Sequence, residues 1–182
     1  MKCTSCKSGD LIPAHLETMF PCHTCNNCGG ELVLLADYLR WRDENEDLDF
    51  TSDCESKINV DDTSSAMLCP ITGRLMTKYR ISKEIDHRLD LSWAANAIWM
   101  DKGEWALLKQ NGLAGKLSDI FTDHWQREIQ SATSAEILEE MYQERFGEQY
   151  QAINDFRDFL DGVEYKSEVI AYLLSDDPHP VG

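Results

Sequence analysis

Apolar and polar positions change their period twice along this chain. Residues 1–31 are rich in loop-forming residues and cysteine, and then ELVLLADYLRW (31–41) predicts a strand end leading into a short helix around Ala36 to Trp41. RDENEDLDFTSDCESKINVDDTSSA (42–66) has few apolar residues and many charges, so it cannot bury enough surface to offset its ordering entropy. A linker or loosely pinned loop is expected there. From Cys69 the period is two. Leu75, Thr77, Tyr79 and Ile81 share one face of LMTKYRI, and Ile85, His87, Leu89, Leu91 and Trp93 share one face of IDHRLDLSW. Separated by Ser82, Lys83 and Glu84, the two runs predict a β-hairpin, and AIWM (97–100) a third strand. After Gly103 the period becomes helical. One helix is expected from Glu104 to before Asn111-Gly112, and a second from about Ser118 to Gln130. Thr133-Ser134-Ala135-Glu136 reads as a capping box opening a third helix, with Ile137, Met141, Tyr142 and Phe146 facing inward and Gly147 ending it. A fourth spans about Tyr150 to Leu160 and presents Ile153, Phe156, Phe159 and Leu160. Ser167 caps a fifth that buries Val169, Ile170, Leu173 and Leu174. The fold class is α+β.

Charge changes the picture of what such a chain can bind. The net charge is −16 over 182 residues, a field that repels nucleic-acid phosphates and anionic lipid. Only residues 67–100 are basic, with five Lys or Arg against three acids, so any polyanion contact falls there. No apolar run of about 18 residues is present to span a bilayer. MKCTSCKSGD carries no apolar core, so a secretory signal is not expected there.

Seven cysteines are an odd set for a disulfide scaffold, and four of them form paired C-x2-C motifs. Cys3-Thr4-Ser5-Cys6 and Cys25-Asn26-Asn27-Cys28 are separated by 18 residues, a spacing that points to one structural Zn²⁺ held by four thiolates. Gly29 and Gly30 supply the turn freedom a knuckle needs after its second cysteine. Cys22-His23-Thr24-Cys25 is another C-x2-C, and the trailing glycines favour Cys25 and Cys28 over it; His15 and His23 stand as alternative ligands. A thioredoxin-like context for a redox pair is absent. Reduced thiols fit a cytoplasmic setting.

MKCTSCKSGDL…CNNCGGELVLL resembles the bacterial zinc ribbons similar to that of transcription factor IIB, without their Trp-Leu-Asp tail. The pattern recurs in decayed form. CPITGRL (69–75) looks like a first knuckle with Thr72 in place of its second cysteine. WAANAIWMDKGEW (93–105) looks like the second knuckle and tail, with Ser92 and Ala95 where cysteines belong. The resemblance covers about residues 1–35 and 67–105 and implies a four-cysteine zinc ribbon within 1–41 and a degenerate metal-free ribbon over 67–105 pinned by Trp93, Ile98 and Trp99; composition and period add an acidic linker over 42–66 and an acidic helical region over 106–182. It also implies a zinc-binding protein of the kind described as nucleic-acid-binding or transcription-related.

Three functions compete on these residues. The first is a non-catalytic module for a protein partner. The second is a nucleic-acid binder using Arg74, Lys78, Arg80, Lys83 and Arg88 of the basic hairpin 74–88. The third, an enzyme, is not expected. No phosphate loop, G-x-S-x-G or H-E-x-x-H is present, and His87 and His124 have their neighbouring aspartates pointing elsewhere. Partner identity and oligomeric state are not written in the sequence.

Overall fold

A computed structural model of the chain describes residues 1–45 and 65–175. Most of the acidic stretch 42–66, with Cys54, lies outside the described residues, as does His179. Six strands, β1 (Leu11–Glu17), β2 (Phe20–Cys25), β3 (Glu31–Leu34), β4 (Thr77–Arg80), β5 (Arg88–Ser92) and β6 (Ala97–Met100), form one sheet in the order β1-β2-β3-β6-β5-β4. Every pairing is antiparallel. The order reads the same from both ends: outer, middle and inner strand of each half, with inner strands β3 and β6 paired at the centre. Each half then runs into a helix, α1 (Leu35–Glu44) after β3 and α2 (Glu104–Gln110) after β6. The two stretches that the sequence sets apart as residues 1–41 and 67–105 thus share a ladder, Leu32 opposite Trp99 and Val33 opposite Ile98.

Period two explains how this sheet is buried on both sides. Val33, Ile98 and Met100 project to one face, where they join Phe20, Tyr38, Trp41, Trp105 and Leu108. Leu32, Trp99 and Ala97 project to the other, beside Cys3, Cys25, Met67, Cys69 and Met76. On the first face the Phe20 and Trp41 rings stack 4.8 Å apart, and Trp105 meets both edge-on. The Tyr38 hydroxyl donates to the Ala114 carbonyl at 2.9 Å and accepts the Leu117 N–H at 3.0 Å, so burial of this phenol leaves its oxygen satisfied.

Several expected elements take a different form. The hairpin loop is longer than Ser82–Glu84: β4 stops at Arg80, β5 starts at Arg88, and the Ile81 N–H reaches back to the His87 carbonyl. Trp93 is 58% exposed and joins no core, because it lies past the end of β5; its indole N–H donates to the Tyr79 hydroxyl. Ile98 and Trp99 do fill the core. The helix expected over 118–130 is broken into α3 (Leu117–Ile120) and the start of α4 (Asp123–Phe146). No helix begins at Thr133. Its hydroxyl donates to the Ile129 carbonyl one turn back, so α4 runs through it.

Residues 1–133 make one compact unit and residues 134–182 another. The second holds the last turns of α4, then α5 (Tyr150–Asp161) and α6 (Lys166–Leu173). Its helices stand close to where periodicity puts them, but their stripes are not buried. Ile137, Phe159 and Leu173 are all more than half exposed, and Leu160 is the one large apolar residue buried among the described residues of this unit.

Candidate metal centre

The N-terminal cysteines arrive at one point from two turns. The Cys3 N–H donates to the Gly9 carbonyl at 2.9 Å and the Cys25 N–H to the Gly30 carbonyl at 2.8 Å, closing each knuckle. Lys7 and Gly29 take positive φ (61° and 73°), reversing the chain just after Cys6 and Cys28. The sulfurs of Cys3, Cys6, Cys25 and Cys28 then lie within 4.8 Å of one another. Cys3 and Cys28 are 3.8 Å apart and Cys6 and Cys25 3.7 Å. A tetrahedron of sulfurs about 2.3 Å from a central ion has edges of about 3.8 Å, whereas a disulfide needs about 2.05 Å. These four cysteines are positioned to hold a metal ion, and all four are free thiols.

Backbone N–H groups point at the sulfurs, as negative ligands require. Gly9 N–H lies 3.4 Å from Cys6 Sγ and Asn27 N–H 3.4 Å from Cys25 Sγ. Hydrogen bonds from Ser8, Asn27 and Gly9 lower the Cys6 thiol to about 5. Burial pushes the Cys3 and Cys28 thiols up instead. Those two need a cation to ionise at neutral pH, which couples binding to proton release.

The remaining candidates fall elsewhere. Cys22 lies in the aromatic core on the helix-covered side, with Sγ 3.6 Å from the Thr24 hydroxyl, and burial raises its pKa. His15 on β1 is exposed and His23 on β2 is half-buried; neither joins the sulfur cluster. Sequence reasoning missed Gly9 and gave Gly30 a turn role, but of the two trailing glycines only Gly29 takes positive φ, and Gly30 is fixed by packing. A Cβ on Gly9 would stand 2.4 Å from Cys25 Sγ, and one on Gly30 would stand 2.3 Å from the Trp99 ring. Asn26 accepts the Asp10 N–H at 2.9 Å and Asn27 donates to the Ser8 hydroxyl at 3.1 Å, tying the knuckles together. Asparagines between paired cysteines were the available signal.

The second half repeats this backbone with other chemistry. The Cys69 N–H donates to the Arg74 carbonyl at 2.8 Å, and Asn96 takes positive φ (46°) where Gly29 does in the first half. Burial would raise the Cys69 thiol, yet the Ser92 and Thr72 hydroxyls with the Thr72 and Ile71 N–H groups bring it below its ordinary value. Hydroxyls thus stand at two positions equivalent to thiolates, and hydrogen bonds close the knuckle. The tail Trp99 to Glu104 is explained by the same region. The Trp99 indole donates to Asp101 at 2.9 Å, and the Asp101 N–H donates to Glu104 at 2.7 Å, starting α2.

Three of the five basic side chains of the hairpin face carboxylates. Lys78 lies 2.8 Å from Asp90, with the carboxylate buried; Arg80 is 3.8 Å and Arg88 4.0 Å from Asp86. No match to this chain was found among family models, curated proteins or solved structures.

Proposed function

We propose that this chain is a non-catalytic, zinc-stabilised module that binds a protein partner, with one structural Zn²⁺ held by Cys3, Cys6, Cys25 and Cys28 in a ribbon of the transcription factor IIB type. The observation that carries this reading is the sulfur tetrahedron. Four thiolates at its vertices are the donor set zinc prefers, and they leave no coordination position for a reacting water. Soft sulfur donors disfavour Mg²⁺ and Ca²⁺. His124 is no candidate base, being an exposed partner of Glu128 one turn along α4. No described helix is long and apolar enough to cross a membrane.

The competing reading is a nucleic-acid binder acting through hairpin 74–88. Lys78, Arg80 and Arg88 already face carboxylates within 4.0 Å, so a phosphate would have to displace them. The test has two arms. Metal analysis of the purified chain is expected to give about one zinc per chain, and zinc-loaded bait is expected to capture a partner protein. Mixed-sequence DNA and RNA are expected to bind no better than about 10⁻⁴–10⁻⁶ M at about 150 mM salt. Submicromolar binding that weakens in Arg80→Ala or Arg88→Ala would overturn the module reading in favour of nucleic acid.

A further inference from the structure

The helices of residues 134–175 are amphipathic but leave their apolar side in water. Ile137 and Met141 lie one turn apart on α4, and Phe156 and Phe159 nearly so on α5; they are 62%, 44%, 43% and 63% exposed. Phe156 and Phe159 stack on each other 6.1 Å apart, as do Tyr142 and Phe146 at 5.4 Å, so these rings are held in place by neighbours of their own helix. A contiguous exposed apolar patch is the usual mark of an interaction site.

Its rim is acidic. Glu136, Glu140, Asp155 and Asp158 immediately precede Ile137, Met141, Phe156 and Phe159, about 100° round the helix from them. Residues 134–175 hold ten acidic side chains against three basic ones. Two of those bases are already committed, Lys166 to Asp161 and Arg157 to Asp158. A second copy of the chain would set this rim against an identical one, and an anionic membrane would meet the same repulsion. A partner with an apolar stripe flanked by Lys and Arg meets neither obstacle.

We propose that the apolar stripe of α5, carried by Phe156 and Phe159, binds a basic amphipathic helix of a partner protein. The proposal rests on the interaction-module reading and adds the chemistry of the partner. Apolar anchors at helical spacing supply the contact, and the acidic rim selects the charge.

The test uses the zinc-loaded full chain and three synthetic 18-residue peptides at about 150 mM salt, where exposed charges more than about 8 Å apart are screened. One has leucines at i, i+3, i+4 and i+7 with lysine elsewhere. The second has the same composition with leucines spread round the helix, and the third replaces lysine by glutamate. The striped lysine peptide is expected to bind at least tenfold more tightly than the other two, by fluorescence anisotropy. Phe156→Ser with Phe159→Ser, both at exposed positions, should remove that preference while circular dichroism stays unchanged. Equal binding of the two lysine peptides would overturn the proposal, since charge alone would then suffice. So would binding that the double variant leaves intact, or dimerisation in sedimentation that it abolishes, which would make a second copy the occupant. If the peptides fail but zinc-loaded bait still captures a protein, this proposal falls and the module reading stands.

Discussion

At Gly9 and Cys25 the metal site depends on single atoms. A Cβ on Gly9 would stand 2.4 Å from Cys25 Sγ, so Gly9→Ala must push that sulfur off its vertex. We expect Gly9→Ala to bind zinc at least tenfold more weakly in competition with a chromogenic chelator, and Cys25→Ser to lose it. Cys22→Ser should keep a full equivalent, because Cys22 lies in the aromatic core and not in the sulfur cluster. Loss of metal in Cys22→Ser would place the knuckle in the other register. Glu31 makes a separate statement about pH. Burial beside β2 and β6 raises its carboxyl from 4.5 to about 7. The folded chain therefore holds this proton more tightly than the unfolded chain, and stability falls as pH rises from about 4.5 to about 7. The gross effect is at most about 3 kcal/mol, reduced by the solvent this half-buried carboxyl still meets. Glu31→Gln should flatten that decline. Parallel urea-midpoint profiles for the zinc-loaded wild type and variant across pH 5–8 would refute it.

Among the elements, those announced by local chemistry were legible and those decided by neighbours were not. β6 occupies 97–100 and α2 occupies 104–110, because a short apolar run and an Asn-Gly stop are local signals. β1 and β2 carry no period-two signal: LIPAHLE and FPCHTC lack clean alternation, since β1 is an edge strand with Pro13 and a single buried position. β5 misled in the opposite way, as Asp90 and Ser92 are buried along with Leu89 and Leu91. Cross-strand Lys78 and the Cys69 thiol account for those two polar groups, and neither partner is near in sequence. The cluster of four cysteines was legible because their spacing is itself the signal, whereas the contact of Trp99 with Gly30 joins residues nearly seventy positions apart. Thr133 tests the same distinction. As the N-cap of a capping box, its replacement by Ala would cost about 1 kcal/mol. Within a continuous α4 it bonds back to Ile129, and Ala is the better helix former by a few tenths of a kcal/mol. Thr133→Ala should therefore hold or slightly raise the thermal midpoint, and a clear drop would mean a helix start at that position.

For the molecule as a whole, the question is how far the loss of a metal held by the four cysteines would travel. The sequence reads as a small ribbon joined by an acidic linker to everything else, so chelation would unfold residues 1–41 alone. Two observations argue for a wider reach. β3 and β6 share a ladder through the centre of the sheet, so unravelling the first half strips the backbone partners of the second. Trp99, from the second half, packs its ring against Gly30 of the metal knuckle and belongs to the same apolar cluster as Cys3 and Cys25. Once the thiolates separate, that cluster loses one wall and Trp99 meets water. In the second half the Cys69 knuckle is closed by hydroxyl hydrogen bonds of about 1 kcal/mol each. Residues 134–173 belong to the other compact unit and take their backbone hydrogen bonds within helices, so metal loss should leave them alone. Hydrogen–deuterium exchange with and without a chelator would separate the cases. We expect β1 to β3 and β4 to β6 to lose protection together, with a red shift of tryptophan fluorescence, while α5 and α6 exchange at unchanged rates. If protection is lost over residues 1–41 and kept over β4 to β6, the ladder between β3 and β6 is not the coupling it is argued to be, and the two halves fold independently.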